Sequence, residues 1–373
     1  MNPMAVSTRD QEVLDALRVV RDPDLHRDIV ALGFVQNLNI DPSGAVAFSI
    51  NLTTPACPVK DDLRDQARMA VAHLPWVTDV QVQMTANTAV ARGQGSTTPL
   101  IPRVKNVVAV ASGKGGVGKS TTSVNLAVAL SQTGAKVGLL DADIYGPNVP
   151  LMMGLKEKPE VTGSNGSIEP VMRYGIKLVS IGFFLDENKP VIWRGPMVHG
   201  AIQQFLKDFD WGDLDYLVVD LPPGTGDAPL SLSQLIPLSG VVIVTTPQDV
   251  ALQDVAKGMA MFKQLEVPII GVIENMSYFI CPNCSEKHEL FGRGGGERIA
   301  RTFKVPFLGQ IPLQMNVRTG GDEGQPVVMA DPESPAAKAL AFVAGEVARQ
   351  VSVLAFQTRG NFVPLGGLTI RKT

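Results

Sequence analysis

The octapeptide Gly113-Lys114-Gly115-Gly116-Val117-Gly118-Lys119-Ser120 constrains this chain more than any other stretch. It fits the pattern G-x-x-x-x-G-K-[ST]. The apolar run Val107-Val108-Ala109-Val110-Ala111 precedes it and reads as a buried parallel strand. Thr121 to Ser131 follows it, with Val124, Ala127 and Val128 at helical spacing. Strand, glycine loop and helix form the setting in which this pattern cradles phosphate. The glycines let backbone N–H groups converge on phosphate oxygens where a Cβ would obstruct them. The helix N-terminus adds about half a positive charge. Gly113 to Thr121 is therefore expected to bind nucleotide. Lys119 is expected to reach the β- and γ-phosphates, and the Ser120 hydroxyl to ligate Mg²⁺.

With 373 residues, the chain is long enough for two domains. Hydrophobic residues at 45% and charged residues at 18% give a globular chain with a large core. The net charge of −3 speaks against general affinity for nucleic acid, which rests on cationic contacts to phosphate. The N-terminus lacks a signal-peptide pattern, and no run of 18 apolar residues occurs. A cytoplasmic protein, bound to neither membrane nor nucleic acid, is expected.

Residues 1–86 read as a small α+β domain. Gln11 to Val20 and Asp61 to His73 have helical spacing. Val30 to Ile40, Gly44 to Leu52 and Val77 to Met84 read as extended. Cys57 lies ahead of the second helix, whose N-terminus would favour a thiolate; a buried structural thiol is the alternative. Residues 87–105 are rich in Gly, Ser, Thr and Pro and read as a linker, one that would let Cys57 reach different positions. Residues 106–350 form the nucleotide-binding domain, and 351–373 a tail without a helical pattern or an assigned role.

Within the large domain, apolar runs end in polar residues suited to a nucleotide crevice, because ligands of parallel sheets bind at the carboxyl ends of the strands. Val137 to Leu140 leads into Asp141-Ala142-Asp143. Leu217 to Val219 leads into Asp220, expected to hold the Mg²⁺ shell. Leu221 to Asp227 carries Gly224 and Gly226, which would allow a nucleotide-dependent change. Ile269 to Glu274 leads into Asn275.

Three cysteines are a poor disulfide framework. Cys281 and Cys284 form a C-x-x-C, which places two thiolates on one metal or one cluster edge. Two further ligands are needed, and no second C-x-x-C exists. A second copy across a two-fold axis would supply them. A 4Fe–4S cluster, structural Zn²⁺ and a thiol–disulfide pair compete; the redox pair lacks its usual thioredoxin-like setting, and spacing alone does not separate zinc from iron–sulfur.

Lys114, immediately after the first glycine, makes the loop resemble the deviant Walker A motif K-G-G-x-G-K-[ST] of the family that contains nitrogenase iron protein, ParA, MinD and Mrp. The resemblance implies an α/β P-loop NTPase fold with a mostly parallel sheet flanked by helices. It further implies an ATP-dependent homodimer in which Lys114 contacts nucleotide across the interface. It assigns water positioning to Asp143 and an adenine contact to Asn275. The stretches Asp22-Pro23-Asp24, Ile29 to Gly33 and Thr53 to Pro58 resemble the small iron–sulfur-assembly domain that precedes many Mrp ATPases, in which the cysteine matching Cys57 is reactive. Ile192-Trp193-Arg194-Gly195-Pro196-Met197 matches a segment typical of the Mrp branch.

Together these resemblances, from about Thr8 to Gln350, point to the Mrp/ApbC family. They imply an ATP-hydrolysing carrier of a labile 4Fe–4S cluster, held by Cys281 and Cys284 of two copies. The cluster would come from cluster-assembly proteins and pass to apo iron–sulfur proteins. Lys114, Lys119 and Asp143 would serve hydrolysis. The alternatives are a dimeric ATPase chaperone, or a positioning ATPase like MinD or ParA, with structural zinc at the C-x-x-C.

Overall fold

The structure, a computed structural model, describes residues 7–90, 100–155, 163–164, 167–184 and 195–358. Ile192, Trp193, Arg194, residues 91–99 of the expected linker and residues 359–373 of the expected tail lie outside the described residues. The chain divides into two units, Met1–Ala89 with Phe356–Thr373, and Val90–Ala355.

The small unit contains α1 (Thr8–Leu17), β1 (Val35–Ile40), β2 (Ala45–Leu52), α2 (Lys60–Ala72) and β3 (Asp79–Ala86). Helix α1 starts earlier than its apolar spacing predicts. Ser7 accepts from Asp10 N at 3.1 Å, while Asp10 Oδ2 accepts from Ser7 N at 3.0 Å. This reciprocal cap satisfies two backbone donors, with Asp in the role Glu or Gln usually fills. The sheet order is β1-β2-β3, with β1 antiparallel and β3 parallel to β2. Helix α2 makes the crossover that a parallel pair requires. Val13, Leu17, Leu38, Ile50, Leu63 and Val71 fill the core.

One extended reading is corrected here. Of the expected extended run Val30 to Ile40, the first part is a set of turns through Gly33, and the strand begins only at Val35. Asp28 Oδ1 accepts from Ala31 N at 2.7 Å, and Gly33 takes a φ of 68°. Ile29 and Leu32 are fully buried all the same. Their apolar character reflects burial within a turn, which periodicity alone does not distinguish from a strand.

The large unit begins with β4 (Val104–Ser112), α3 (Lys119–Gln132), β5 (Val137–Asp141), α4 (Val149–Met152), the short pair β6 (Gly163–Ser164) and β7 (Ser167–Ile168), β8 (Val171–Arg173) and β9 (Ile176–Ser180). It continues with α5 (Gly195–Lys207), β10 (Leu214–Asp220), α6 (Asp227–Leu235), β11 (Gly240–Thr245), α7 (Asp249–Gln264) and β12 (Ile269–Glu274). A hairpin of β13 (Phe279–Ile280) and β14 (Lys287–His288) precedes α8 (Gly295–Phe303), β15 (Phe307–Gln310), α9 (Met315–Glu323), α10 (Val327–Ala330) and α11 (Pro335–Thr358).

Eight strands form one sheet in the order β15-β12-β11-β4-β10-β5-β9-β8. Every pair is parallel except β8 with β9. The central strands are buried along most of their length, which is why they read as continuous apolar runs rather than alternating ones. From β4 the chain returns to β10 on one side and β11 on the other. The carboxyl end of β4 is thus a topological switch point, where open α/β sheets bind ligands.

Helix α11 extends the last element past the expected end at Gln350 to Thr358. Ser352 to Thr358 is helical, so the tail reading is corrected for those residues. The stripe Leu340, Val343, Val347, Val351 and Ala355 continues at helical spacing and is buried throughout. By length and composition α11 is apolar enough to cross a membrane, and its buried stripe is equally that of a packed core helix.

Candidate functional site

The glycine loop turns from β4 into α3 through two left-handed residues, Gly116 at φ 79° and Gly118 at φ 83°. Gly113 is required for a different reason. A Cβ there would strike the backbone of Asp254 and Val255 in α7. The loop lines a cleft of about 190 Å³, together with Asp143, Asn148, Met152 and Pro223. Lys114, Gly115, Gly116, Gly118, Lys119, Ser120 and Thr121 all face it. Val117 is buried beneath the loop. The Ser112 hydroxyl donates to Lys114 O at 3.0 Å, while Ser112 O accepts from Gly224 N at 2.9 Å. The phosphate loop and the Gly224–Gly226 segment therefore share one residue.

Beside the loop, three carboxylates converge. Asp220 and Asp141 end adjacent parallel strands and are direct register partners. Asp143 follows two residues later and is buried, with its N–H donating to Asp141 Oδ1 at 3.2 Å. The Lys119 ammonium stands 2.9 Å from Asp220 Oδ2, 3.3 Å from Asp143 Oδ2 and 3.1 Å from Ser120 Oγ. Ser120 donates to Asp220 Oδ2 at 2.6 Å, and Ser123 donates to Asp220 Oδ1 at 2.7 Å. The donor set around Asp220 is all hydroxyl and carboxylate oxygen, which fits a hard cation such as Mg²⁺.

Burial, and then the charge of Asp220, push the Asp141 carboxyl up to about 8. Burial also raises Asp143, against the pull of Lys119. Burial disfavours the charged form, so in a low-dielectric site holding three carboxylates against one ammonium the Asp141 carboxyl is shifted toward its protonated form. Ser180 donates to Asp141 Oδ2 at 2.8 Å. Sequence reasoning placed Asp141 at the crevice without a role, and did not single out Ser123 or Ser180. The i,i+2 spacing of Asp141 and Asp143 was visible, but Ser123 and Ser180 become partners only through the sheet order.

Lys114 Nζ lies 3.5 Å from Gln248 Oε1, ahead of α7. Asn275 is buried, and its side-chain NH₂ donates to Val117 O at 2.8 Å. That amide packs so closely on Gly118 that a Cβ there would collide with it. Asn275 thus fastens the underside of the phosphate loop, a contact the sequence did not announce.

Cys281 and Cys284 stand at the tip of the β13–β14 hairpin. Cys281 N donates to Glu286 O at 2.9 Å, and Ser285 N to Cys281 O at 2.8 Å. Ser285 takes a φ of 61° to close the turn. The backbone N–H groups of Cys284 and Asn283, and then the Cys284 side chain, hydrogen-bond to Cys281 and hold its thiol below the ordinary value. Cys284 is exposed and Cys281 half-buried. Among the described residues no group of three or more His, Cys, Asp and Glu is placed to hold a metal ion. Glu286 and His288 pair with each other at 3.8 Å. The hairpin therefore presents two sulfur ligands in one turn.

Cys57 behaves otherwise. The expectation of a thiolate is corrected: burial, reinforced by the charges of Asp22 and Asp24, pushes its thiol up to about 11. Helix α2 begins at Lys60, and a single backbone donor, Val59 N, acts in the other direction. Desolvation outweighs the helix end.

Residues 103–348 match the family described as ParA, NUBPL iron-transfer P-loop NTPase. The chain belongs to that family. Residues 10–84 match a second family, described as iron-sulfur cluster assembly protein. The chain is 49% identical over 347 residues to an iron-sulfur cluster carrier protein of Synechocystis, covering 92% of this chain and 98% of that one. A protein of the same description from Deinococcus radiodurans is 48% identical, covering 91% and 95%. Among solved structures, a nucleotide-binding protein of Archaeoglobus fulgidus in complex with ADP is 43% identical with a TM-score of 0.54, covering 60% of this chain and 88% of that one. This NUBPL/ParA-family chain is a nucleotide-binding P-loop NTPase, and its relatives are named for carrying iron–sulfur clusters.

Proposed function

We propose that this protein is an ATP-hydrolysing carrier that holds a labile 4Fe–4S cluster between two copies of the chain and passes it to apoproteins. The observation that carries the reading is the hairpin tip: two neighbouring cysteines, accessible, one with its thiol held down by backbone donors. Metal and cluster ligands must be deprotonated, and this turn favours that form. A cluster of four irons takes four thiolates, which two copies of Cys281 and Cys284 would supply. The names of the relatives and the ADP-bound Archaeoglobus structure support cargo and nucleotide respectively.

Gly113 to Thr121 would cradle the phosphates. Ser120 and Asp220 would hold Mg²⁺, which supplies charge neutralisation at the β- and γ-phosphates. For that, the Lys119 ammonium exchanges carboxylate partners for phosphate oxygens. Asp143, buried beside it, would orient the attacking water. Lys114 would leave Gln248 for the nucleotide of the second copy. An adenine contact by Asn275 would use its side-chain oxygen or its second N–H, since one N–H serves Val117. Cluster-assembly proteins would load the dimer and apo iron–sulfur proteins unload it, in the cytoplasm and without membrane or nucleic acid.

The test is anaerobic reconstitution followed by transfer to an apo-acceptor, followed by visible absorption. The wild type is expected to transfer its cluster, and Cys281→Ala/Cys284→Ala to acquire none. A tightly held zinc ion with no reconstitutable cluster would replace this reading with that of a zinc-stapled ATPase.

A further inference from the structure

The nucleotide cleft and the cysteine hairpin are joined by an unusually short path. Strand β12 ends at Glu274, and Cys281 follows only six positions after Asn275. Glu274 is fully buried and takes three donors: Ser277 Oγ at 2.5 Å, Gly296 N at 2.6 Å and Gln310 Nε2 at 3.1 Å. This fixes the end of β12. Beyond it, Ser277 N donates to Ile311 O at 3.0 Å, and Tyr278 O accepts from Leu313 N at 2.7 Å, guiding the chain into the hairpin. Between the fixed end and the guided segment stand Asn275 and Met276. Met276 sits in the left-handed region at φ 53°. A non-glycine residue there is strained and persists only where its surroundings over-determine it.

We propose that Asn275 is a positioning residue that transmits the orientation of a phosphate-loop peptide to the Cys281–Cys284 hairpin. Its NH₂ group holds Val117 O. That oxygen belongs to the same planar peptide unit as the N–H of Gly118, because the bond between them is rigid. Gly118 lines the cleft, where the loop's N–H groups meet phosphate. Phosphate binding on one edge of this peptide therefore acts on the atom that Asn275 grips at the other edge. A shift of that grip is felt next at Met276, whose left-handed φ is less favourable for a non-glycine residue than the common negative-φ regions. Releasing the corner redirects Ser277 to Cys281. The route gives nucleotide a means to alter the hold on whatever the two sulfurs bind. Its meaning for cluster cargo rests on the carrier reading, whereas the route itself does not.

The experiment is amide hydrogen exchange on the full chain without cluster, with and without a non-hydrolysable ATP analogue plus Mg²⁺, with saturation checked by titration. In wild type, nucleotide is expected to change exchange across residues 278–288 by about fivefold or more. In Asn275→Ala, which also loses its contact beneath the phosphate loop and is expected to bind nucleotide more weakly, that ratio at saturation is expected to fall below about twofold. Met276→Gly keeps the Asn275 contact but removes the strain from the corner, and the same loss is expected. A full nucleotide effect in Asn275→Ala, or no effect in wild type, overturns the proposal. If Asn275→Ala does not fold or bind nucleotide, Met276→Gly decides it, and a full effect there contradicts the route. No cluster enters the measurement, so a failure of the carrier reading would show itself separately.

Discussion

Lys119 and Asp141 show how far residue chemistry runs ahead of residue pattern. The motif predicts a lysine aimed at phosphate, and the structure sets its ammonium among Ser120, Asp143 and Asp220. A buried ammonium needs charge partners, and the strand ends supply them at closest range. The sequence brought these residues together at one nucleotide and its Mg²⁺, but not the direct ion pairs of Lys119 with Asp143 and Asp220. The two cysteine environments were half legible. The C-x-x-C spacing brought two cysteines into one turn, and of the two readings of Cys57, helix-end thiolate or buried thiol, burial favours the second. Alkylation followed by mass spectrometry separates them. With a thiol at about 11, Cys57 is thiolate in on the order of one molecule in a thousand at pH 8, and its labelling rises steeply as pH climbs beyond 9. Cys281 is expected to label first, already near neutral pH. Equal labelling of Cys57 and Cys281 at pH 7 would contradict these environments.

Among the elements, the buried parallel strands were the most readable part of the chain. Both of their faces are covered, so Val107 to Ala111 and Leu217 to Val219 are apolar without interruption. The turns at Ile29 to Gly33 and the last turns of α11 were misread for opposite reasons. The first bury apolar residues outside any strand, and the second continue a helix through Ser352, whose hydroxyl bonds Ala348 O at 3.1 Å. In the phosphate loop, glycines that look alike in the motif hold different duties. Gly113 abuts the backbone of α7, whereas nothing lies within 4 Å of a Cβ at Gly115. Gly113→Ala is therefore expected to lower unfolding free energy by about 2 kcal/mol through overpacking. Gly115→Ala is expected to stay within about 0.5 kcal/mol of wild type. Because Gly115 lines the cleft, its variant should still bind nucleotide more weakly. Denaturant unfolding beside nucleotide titration checks both, and equal stability losses would contradict the assignment.

At the scale of the whole molecule, one α/β unit carries both a phosphate-binding switch point and a two-sulfur hairpin, and a separate small unit carries Cys57. The fold class was legible because a single motif demands a strand, a loop and a helix in order. The expectation that two sulfurs per chain fall short of a closed set rests on the sequence count, and the structure adds that among the described residues no group of three or more His, Cys, Asp and Glu completes it within one chain. The link between the two sites was not legible, because it passes through a hydrogen bond from Asn275 to a backbone oxygen, and any residue at position 117 except its own carbonyl would be irrelevant to it. The central claim is that two copies complete one cluster site. Native mass spectrometry of the anaerobically reconstituted protein tests it most directly. The account predicts a dimer carrying about four irons and four sulfides that separates into cluster-free monomers when the iron is chelated. A monomer that retains a whole cluster, or a dimer whose only metal is one zinc ion, would contradict it.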